Sequence, residues 1–127
     1  PFYFGESKIA QRDFLYALLV AATGDRPLGI QASQLAAVAR WARTEFKSAP
    51  VALESHGPRL GLAALIATAL EQTAINTLHQ TDALTSLQEV IRQNWSVDKY
   101  PELFCFGLLA ACDIPQLKTL VGPGRMD

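Results

Sequence analysis

Val51-Ala52-Leu53-Glu54-Ser55-His56-Gly57-Pro58-Arg59-Leu60-Gly61-Leu62 is the stretch on which the reading of this chain turns. Pro50 to Glu54 is short, apolar and bounded by turn-forming residues, the pattern of a buried strand. Gly57 and Pro58 then make a turn. A helix needs no N–H from the residues of its first turn, so Pro58 to Leu70 is expected as a helix that starts at its proline. Ala63, Ala64, Ala67 and Ala69 keep that helix slim enough to lie close against a sheet. Strand, tight turn and covering helix thus follow one another without a gap.

On the N-terminal side, Lys47-Ser48-Ala49-Pro50 is a loop. The preceding segment, Pro27 to Phe46, carries Leu35, Val38, Ala39 and Ala42 as an apolar stripe at helical spacing, with Arg40, Arg43 and Lys47 near the end, where cations suit the helix dipole. Thr23-Gly24-Asp25-Arg26-Pro27 is turn chemistry. From Ile9 to Ala22, Phe14, Leu15, Leu18, Leu19 and Ala22 again recur at helical spacing. Pro1 to Phe4 is aromatic and reads as the end of an edge strand, broken by Gly5-Glu6-Ser7.

On the C-terminal side, Thr73 to Gln80 alternates and is rich in β-branched residues, so a second strand is expected there. Leu84 to Asn94 reads as a helix. Pro101 to Ala111 is apolar all round and is expected to be buried. Asp113-Ile114-Pro115 opens a last turn or short helix through Leu120, and Gly122-Pro123-Gly124 ends the order. Strands separated by helices require crossovers, so the fold class is α/β, with two or three parallel strands flanked by helices. Parallel sheets are usually wider than this and covered on both faces. The chain is therefore expected to be one domain that packs against further parts of a parent chain or against another subunit.

Composition narrows the function classes. A chain of 127 residues suits one domain, and half of it is hydrophobic while 18% is charged, against about 25% in an average domain. A net charge of −1, with eleven basic residues scattered along the chain, argues against nucleic acid or an anionic membrane as partner. No segment reaches the roughly 20 apolar residues of a membrane span, and no signal peptide opens the sequence. Cys105 and Cys112 stand seven residues apart in one apolar pattern, about 10 Å along a helix, too far for a disulfide. They read as buried free thiols, and two cysteines without clustered histidines make no zinc site. Gly24 and Gly29 lack the Lys-Ser or Lys-Thr of a phosphate loop, so no cofactor is expected.

Ligands of parallel sheets bind at the carboxyl ends of the strands. Ser55 and His79 both fall there, which makes Ser55, His56, His79 and Asp82 the candidate pocket. The alternative is structural: Ser55 ends a strand and caps a helix, and His79 and Asp82 close a strand and cap the next one. Arg59 sits in a first helical turn, a poor place for a cation; it either pairs with Glu54 or Asp82 or binds an anion. Trp41 and Trp95 read as packing residues or as sugar platforms. Tyr100, Phe104 and Phe106 read as core or as a covered interface.

Three stretches carry a family resemblance. They are Val51 to Leu70, Gly24-Asp25-Arg26-Pro27-Leu28-Gly29, and Tyr100-Pro101-Glu102-Leu103 through Asp113-Ile114-Pro115-Gln116-Leu117 to Leu120-Val121-Gly122-Pro123. On these, the chain resembles the C-terminal half of α/β-hydrolases of the acetyl-xylan-esterase and dienelactone-hydrolase type, especially bacterial esterase-like proteins. The resemblance implies a partial three-layer α/β-hydrolase-like unit in which residues 51–70 form the nucleophile elbow. The elbow signature is Gly-x-Ser-x-Gly. With Ser55 as its serine, Leu53 stands where the first glycine belongs and Gly57 fills the second place. In the other register Gly57 takes the nucleophile position, and Pro58 after it has no N–H for an oxyanion hole. Two further departures stand out. Val121-Gly122-Pro123-Gly124-Arg125 replaces the family's Ala-Pro-Arg-Pro turn, and the strands that would bring the acid and histidine of the triad fall outside this sequence. The expected function is a hydrolase-like domain with a degenerate elbow and an incomplete triad, non-catalytic as this chain. The alternative is a carboxylic-ester hydrolase acting on acetylated carbohydrate or small esters, with Ser55 as nucleophile and His79 as base. A third class, a small-ligand binding domain using the strand ends, also stays open.

Overall fold

The computed structural model describes residues 12–47 and 51–126. Their order is α1 (Arg12–Ala22), α2 (Pro27–Glu45), β1 (Val51–His56), α3 (Pro58–Leu70), β2 (Ile75–Thr81), α4 (Gln88–Arg92), one 3-10 turn (Pro101–Leu103), α5 (Leu108–Ala111) and α6 (Ile114–Val121). The edge strand expected at Pro1 to Phe4, the start of the first helix at Ile9, and residues 48–50 of the expected loop and strand start lie outside the described residues.

β1 and β2 are parallel and joined through α3, as a helix between two strands requires. The register pairs Leu53 with Leu78, Glu54 with His79, Ser55 with Gln80 and His56 with Thr81. Beyond β2, Met126 makes a one-residue parallel bridge with Leu78, and the Leu78 N–H donates to the Arg125 carbonyl at 2.7 Å. Arg125 secures that approach. Its guanidinium donates to the carbonyls of Glu71 (3.0 Å), Ile75 (2.5 Å), Asn76 (3.3 Å) and Val121 (3.2 Å). The chain leaving α6 is thereby clamped against the head of β2.

α3 is the centre of the molecule. Gly61 to Leu65, Ala67 and Thr68 are buried, consistent with a helix that is apolar on every side. One side of it meets the sheet and α2, where Val51, Leu53, Ala67 and Ile75 pack with Ala32 and Ala39. Another meets α6, where Ile114, Leu117 and Val121 join Leu62, Leu65, Leu78 and Leu87. α2 and α3 cover the same face of the sheet. On the other face Ala52, Glu54 and His56 are exposed, and no helix among the described residues lies over them. The described residues therefore supply two of the three expected layers: a mixed α/β unit with one two-stranded parallel sheet.

Local chemistry sets the joints. Arg40 of α2 donates to Glu71 at 2.7 Å, and Glu71 also accepts from the Thr73 hydroxyl (2.7 Å) and from the N–H groups of Thr73 (3.1 Å) and Ala74 (3.0 Å). Arg40, the Thr73 hydroxyl and the Ala74 N–H together hold the Glu71 carboxyl at about 2, against the opposing effect of burial. Asp113 caps α6 in a capping box with Gln116, and its carboxylate also accepts from the Ser86 hydroxyl (2.6 Å) and the Leu87 N–H (2.6 Å). Burial pushes the Asp113 carboxyl up, but the bonds from Ser86, Leu87 and Ile114 prevail and hold it below the usual range.

Three expectations need correction. The order does not end at Gly122-Pro123-Gly124, because Arg125 and Met126 are held against β2. Leu84 to Asn94 is helical only over Gln88–Arg92, because Thr85 and Ser86 are bound by Glu89 and Asp113 in a loop that drops Leu84 and Leu87 into the core. The apolar run from Pro101 to Ala111 is neither one helix nor buried throughout. Gly107, at φ 84, breaks it, and Phe106 is 86% exposed. Cys105 therefore lies in a loop ahead of α5 and Cys112 caps its end; both are free and half-buried. Among the described residues no single helix is long and apolar enough to cross a membrane.

Candidate functional site

The turn that decides the site is a single residue. β1 extends through His56, two residues beyond the sequence expectation, because Ser55 and His56 stay in register with Gln80 and Thr81. Gly57 then has φ 81 and ψ 169, backbone that only glycine adopts without strain. Its N–H still donates to the Thr81 carbonyl at 2.8 Å, and its carbonyl accepts from Gly61 at 3.0 Å, so it closes the ladder and opens the helix at once. Pro58 follows at the head of α3. Of the two registers open in the sequence, the residue at the bend is Gly57.

Strand pleating then sorts the candidate residues. Side chains alternate between faces, and paired residues on neighbouring strands point the same way. Val51, Leu53 and Ser55 alternate toward the helices, while Ala52, Glu54 and His56 are exposed. His79 shares the face of its partner Glu54, and Gln80 that of Ser55. Ser55 and the two imidazoles are thus on opposite faces of the sheet. The Ser55 hydroxyl is buried and, among the described residues, has no hydrogen-bond partner. Its neighbour Gln80 reaches α3, donating to the Gly61 carbonyl at 2.7 Å. The expected pocket of Ser55 with His79 and His56 is therefore not brought together: sequence proximity to a strand end does not determine the face.

What does meet on the open face is His56 with Asp82. His56 Nε2 lies 3.5 Å from Asp82 Oδ2, and the two side chains are 76% and 72% exposed. Asp82 follows β2 in left-handed backbone, φ 54, a conformation that aspartate tolerates better than most residues. An imidazole beside a carboxylate is the base half of an acyl-transfer centre, but it needs a nucleophile within about 2.6–3.2 Å. Among the described residues no hydroxyl or thiol hydrogen-bonds to His56.

Arg59 turns the other way. Its partner is neither Glu54 nor Asp82 but Glu102, 43 positions along the chain. The guanidinium makes a two-pronged pair, Nε with Oε1 and Nη2 with Oε2, the latter at 3.0 Å. Glu102 is 1% exposed. The guanidinium carbon also lies 5.7 Å from the centre of the Tyr100 ring, and Tyr100 stacks at a tilt on Trp95, centroids 4.9 Å apart. The cation in the first turn of α3 is compensated by a buried carboxylate and an aromatic face. Trp95 packs against the core, while Trp41 is exposed and meets Phe46 edge-on at 5.6 Å.

Sequence reasoning assigned no role to Glu102, Glu71 or Arg125. A signal for Glu102 exists: it is the lone charge in the apolar run from Pro101 to Ala111, and a lone buried charge requires a partner. Among the described residues no group of three or more His, Cys, Asp or Glu side chains is placed to hold a metal ion.

No family model, curated protein or solved structure matches this chain. The functional reading therefore rests on the strand-end geometry and on the sequence resemblance.

Proposed function

We propose that this chain is a non-catalytic α/β-hydrolase-like domain of the acetyl-xylan-esterase and dienelactone-hydrolase type, in which the elbow survives as scaffold. One observation carries the reading: the Ser55 hydroxyl faces the helices, with the sheet between it and both His56 and His79. The bend adds to it, since Gly57 offers no nucleophile and Pro58 no N–H for a developing oxyanion. On this reading the open sheet face, with Glu54, His56 and Thr81 exposed, packs against another part of the same polypeptide or another subunit. Parallel sheets are covered on both faces in the folds that use them, which supports a partner of that kind.

The test is acyl transfer itself. Purified protein is incubated with p-nitrophenyl acetate and, separately, with a fluorophosphonate probe followed by intact-mass analysis. The expected result is no turnover above that of the Ser55→Ala variant and no adduct. An adduct that forms on the native chain and disappears in Ser55→Ala would establish the alternative, an ester hydrolase using Ser55.

A further inference from the structure

Far in sequence from the strand ends, a pocket of about 300 Å³ opens between α1, the head of α2 and the segment that holds Pro101 and Phe106. Phe14, Leu18, Pro101, Phe104, Cys105 and Phe106 supply apolar wall. Arg26 is the only charged residue among its described lining. Its Nη1 donates to two backbone carbonyls, those of Asp25 (2.9 Å) and Gly24 (3.5 Å). Among the described residues no carboxylate pairs with it. This contrasts with Arg40 and Arg59, each paired with a glutamate.

We propose that this pocket binds a free medium-chain carboxylate, its head on Arg26 and its chain along the phenylalanines. The proposal is independent of the elbow. A half-buried guanidinium with no carboxylate partner among the described residues favours an anion, and its planar fork matches a carboxylate. The apolar wall selects a hydrocarbon tail over a second polar group. Size sets the length. At about 300 Å³ the pocket stands at the small end of ligand sites, which suits a chain of medium length. A ligand there would also cover Phe104 and Phe106, which are 42% and 86% exposed. Cys105 in the wall provides a reporter. Burial raises its thiol pKa while the charge of Arg26 lowers it, as a thiol near that guanidinium should behave.

The experiment uses the full chain carrying Cys112→Ser, titrated with octanoate, hexanoate, octanol and octylamine. Thermal stability and the rate of maleimide alkylation at Cys105 are the readouts. Octanoate is expected to raise the melting temperature and to slow alkylation saturably. Hexanoate should bind more weakly, by up to about fourfold for each methylene removed. Octanol should bind about tenfold or more weakly than octanoate, reflecting the lost charged hydrogen bonds. Octylamine should not bind. Arg26→Gln should bring octanoate down to the level of octanol, while Arg26→Lys should keep part of the difference. Ser55→Ala should leave octanoate binding unchanged. Absence of protection by octanoate, or equal binding of octanoate and octanol to the native chain, would overturn the proposal; the second comparison needs no variant to fold.

Discussion

The two faces of the sheet are built on the same two strands and have opposite characters. On the helix side, Leu78 and Ile75 are fully buried and the Ser55 hydroxyl is shut in beside them. On the open side, Glu54, His56 and Thr81 meet solvent. The ion pairs follow the same division. Arg59–Glu102, on the first turn of α3, is buried and two-pronged; His56–Asp82, across the strand ends, is exposed and single. The strand alternation that buries a stable core also separates the hydroxyl from the imidazoles. A serine next to a histidine in an extended strand is, for that reason, a poor start for a catalytic pair.

The comparison breaks most sharply at the ion pairs. Arg59→Ala leaves the Glu102 carboxylate buried and unpaired, and is expected to cost about 3–5 kcal/mol, read from urea unfolding. Adding Glu102→Gln should recover part of that loss. If Arg59→Ala costs less than about 1 kcal/mol, the buried half of the contrast fails. A smaller effect is expected at the bend. Gly57→Ser places a side chain in backbone reserved for glycine and should destabilise by about 1–3 kcal/mol, without creating fluorophosphonate labelling.

A pH titration sharpens the helix side further. Glu71 has a folded pKa of about 2, below its ordinary value of 4.5. A depressed carboxylate stabilises fully above the unfolded pKa, and that contribution is lost as pH falls toward the folded value. Arg40 is 56% exposed, which reduces the worth of the pair, so the loss between pH 5 and pH 2 is expected to be on the order of 1–2 kcal/mol. It should shrink in Arg40→Gln, compared by thermal unfolding at each pH. The smallest effects belong to the candidate residues themselves. His56→Ala should change stability by less than about 0.5 kcal/mol, since its one ion pair is exposed. Ser55→Ala removes a buried hydroxyl that has no hydrogen-bond partner among the described residues, and should be neutral or stabilising by up to about 1 kcal/mol.

Much of this fold is legible in the sequence, and the failures have identifiable causes. Pro58 marks the start of α3 because only a helix N-terminus accepts proline cheaply, and the alanines declare its slimness. The end of β1 is less legible. Ser55 and His56 are weak strand formers, and their pairing with Gln80 and Thr81 is a tertiary fact. The break at Gly107 is hidden in an apolar run whose composition suits a helix and a buried loop equally. At the site, residue types are visible but the face is not. Face depends on register, and a one-residue slip exchanges the two sides of a strand. The partner of Arg59 is illegible locally, since Glu102 lies 43 positions away. The pocket between α1 and the segment around Phe106 assembles residues from three separated stretches, and no local pattern marks it.

The most direct measurement is thiol accessibility along β1. Glu54→Cys, Ser55→Cys and His56→Cys are made one at a time in a chain carrying Cys105→Ser and Cys112→Ser, and each is labelled under native conditions after its fold is checked by circular dichroism. The account predicts prompt labelling at 54 and 56, and labelling at 55 only through opening of the structure. A thiol at 55 that reacts as fast as those at 54 and 56 in the folded chain would contradict it.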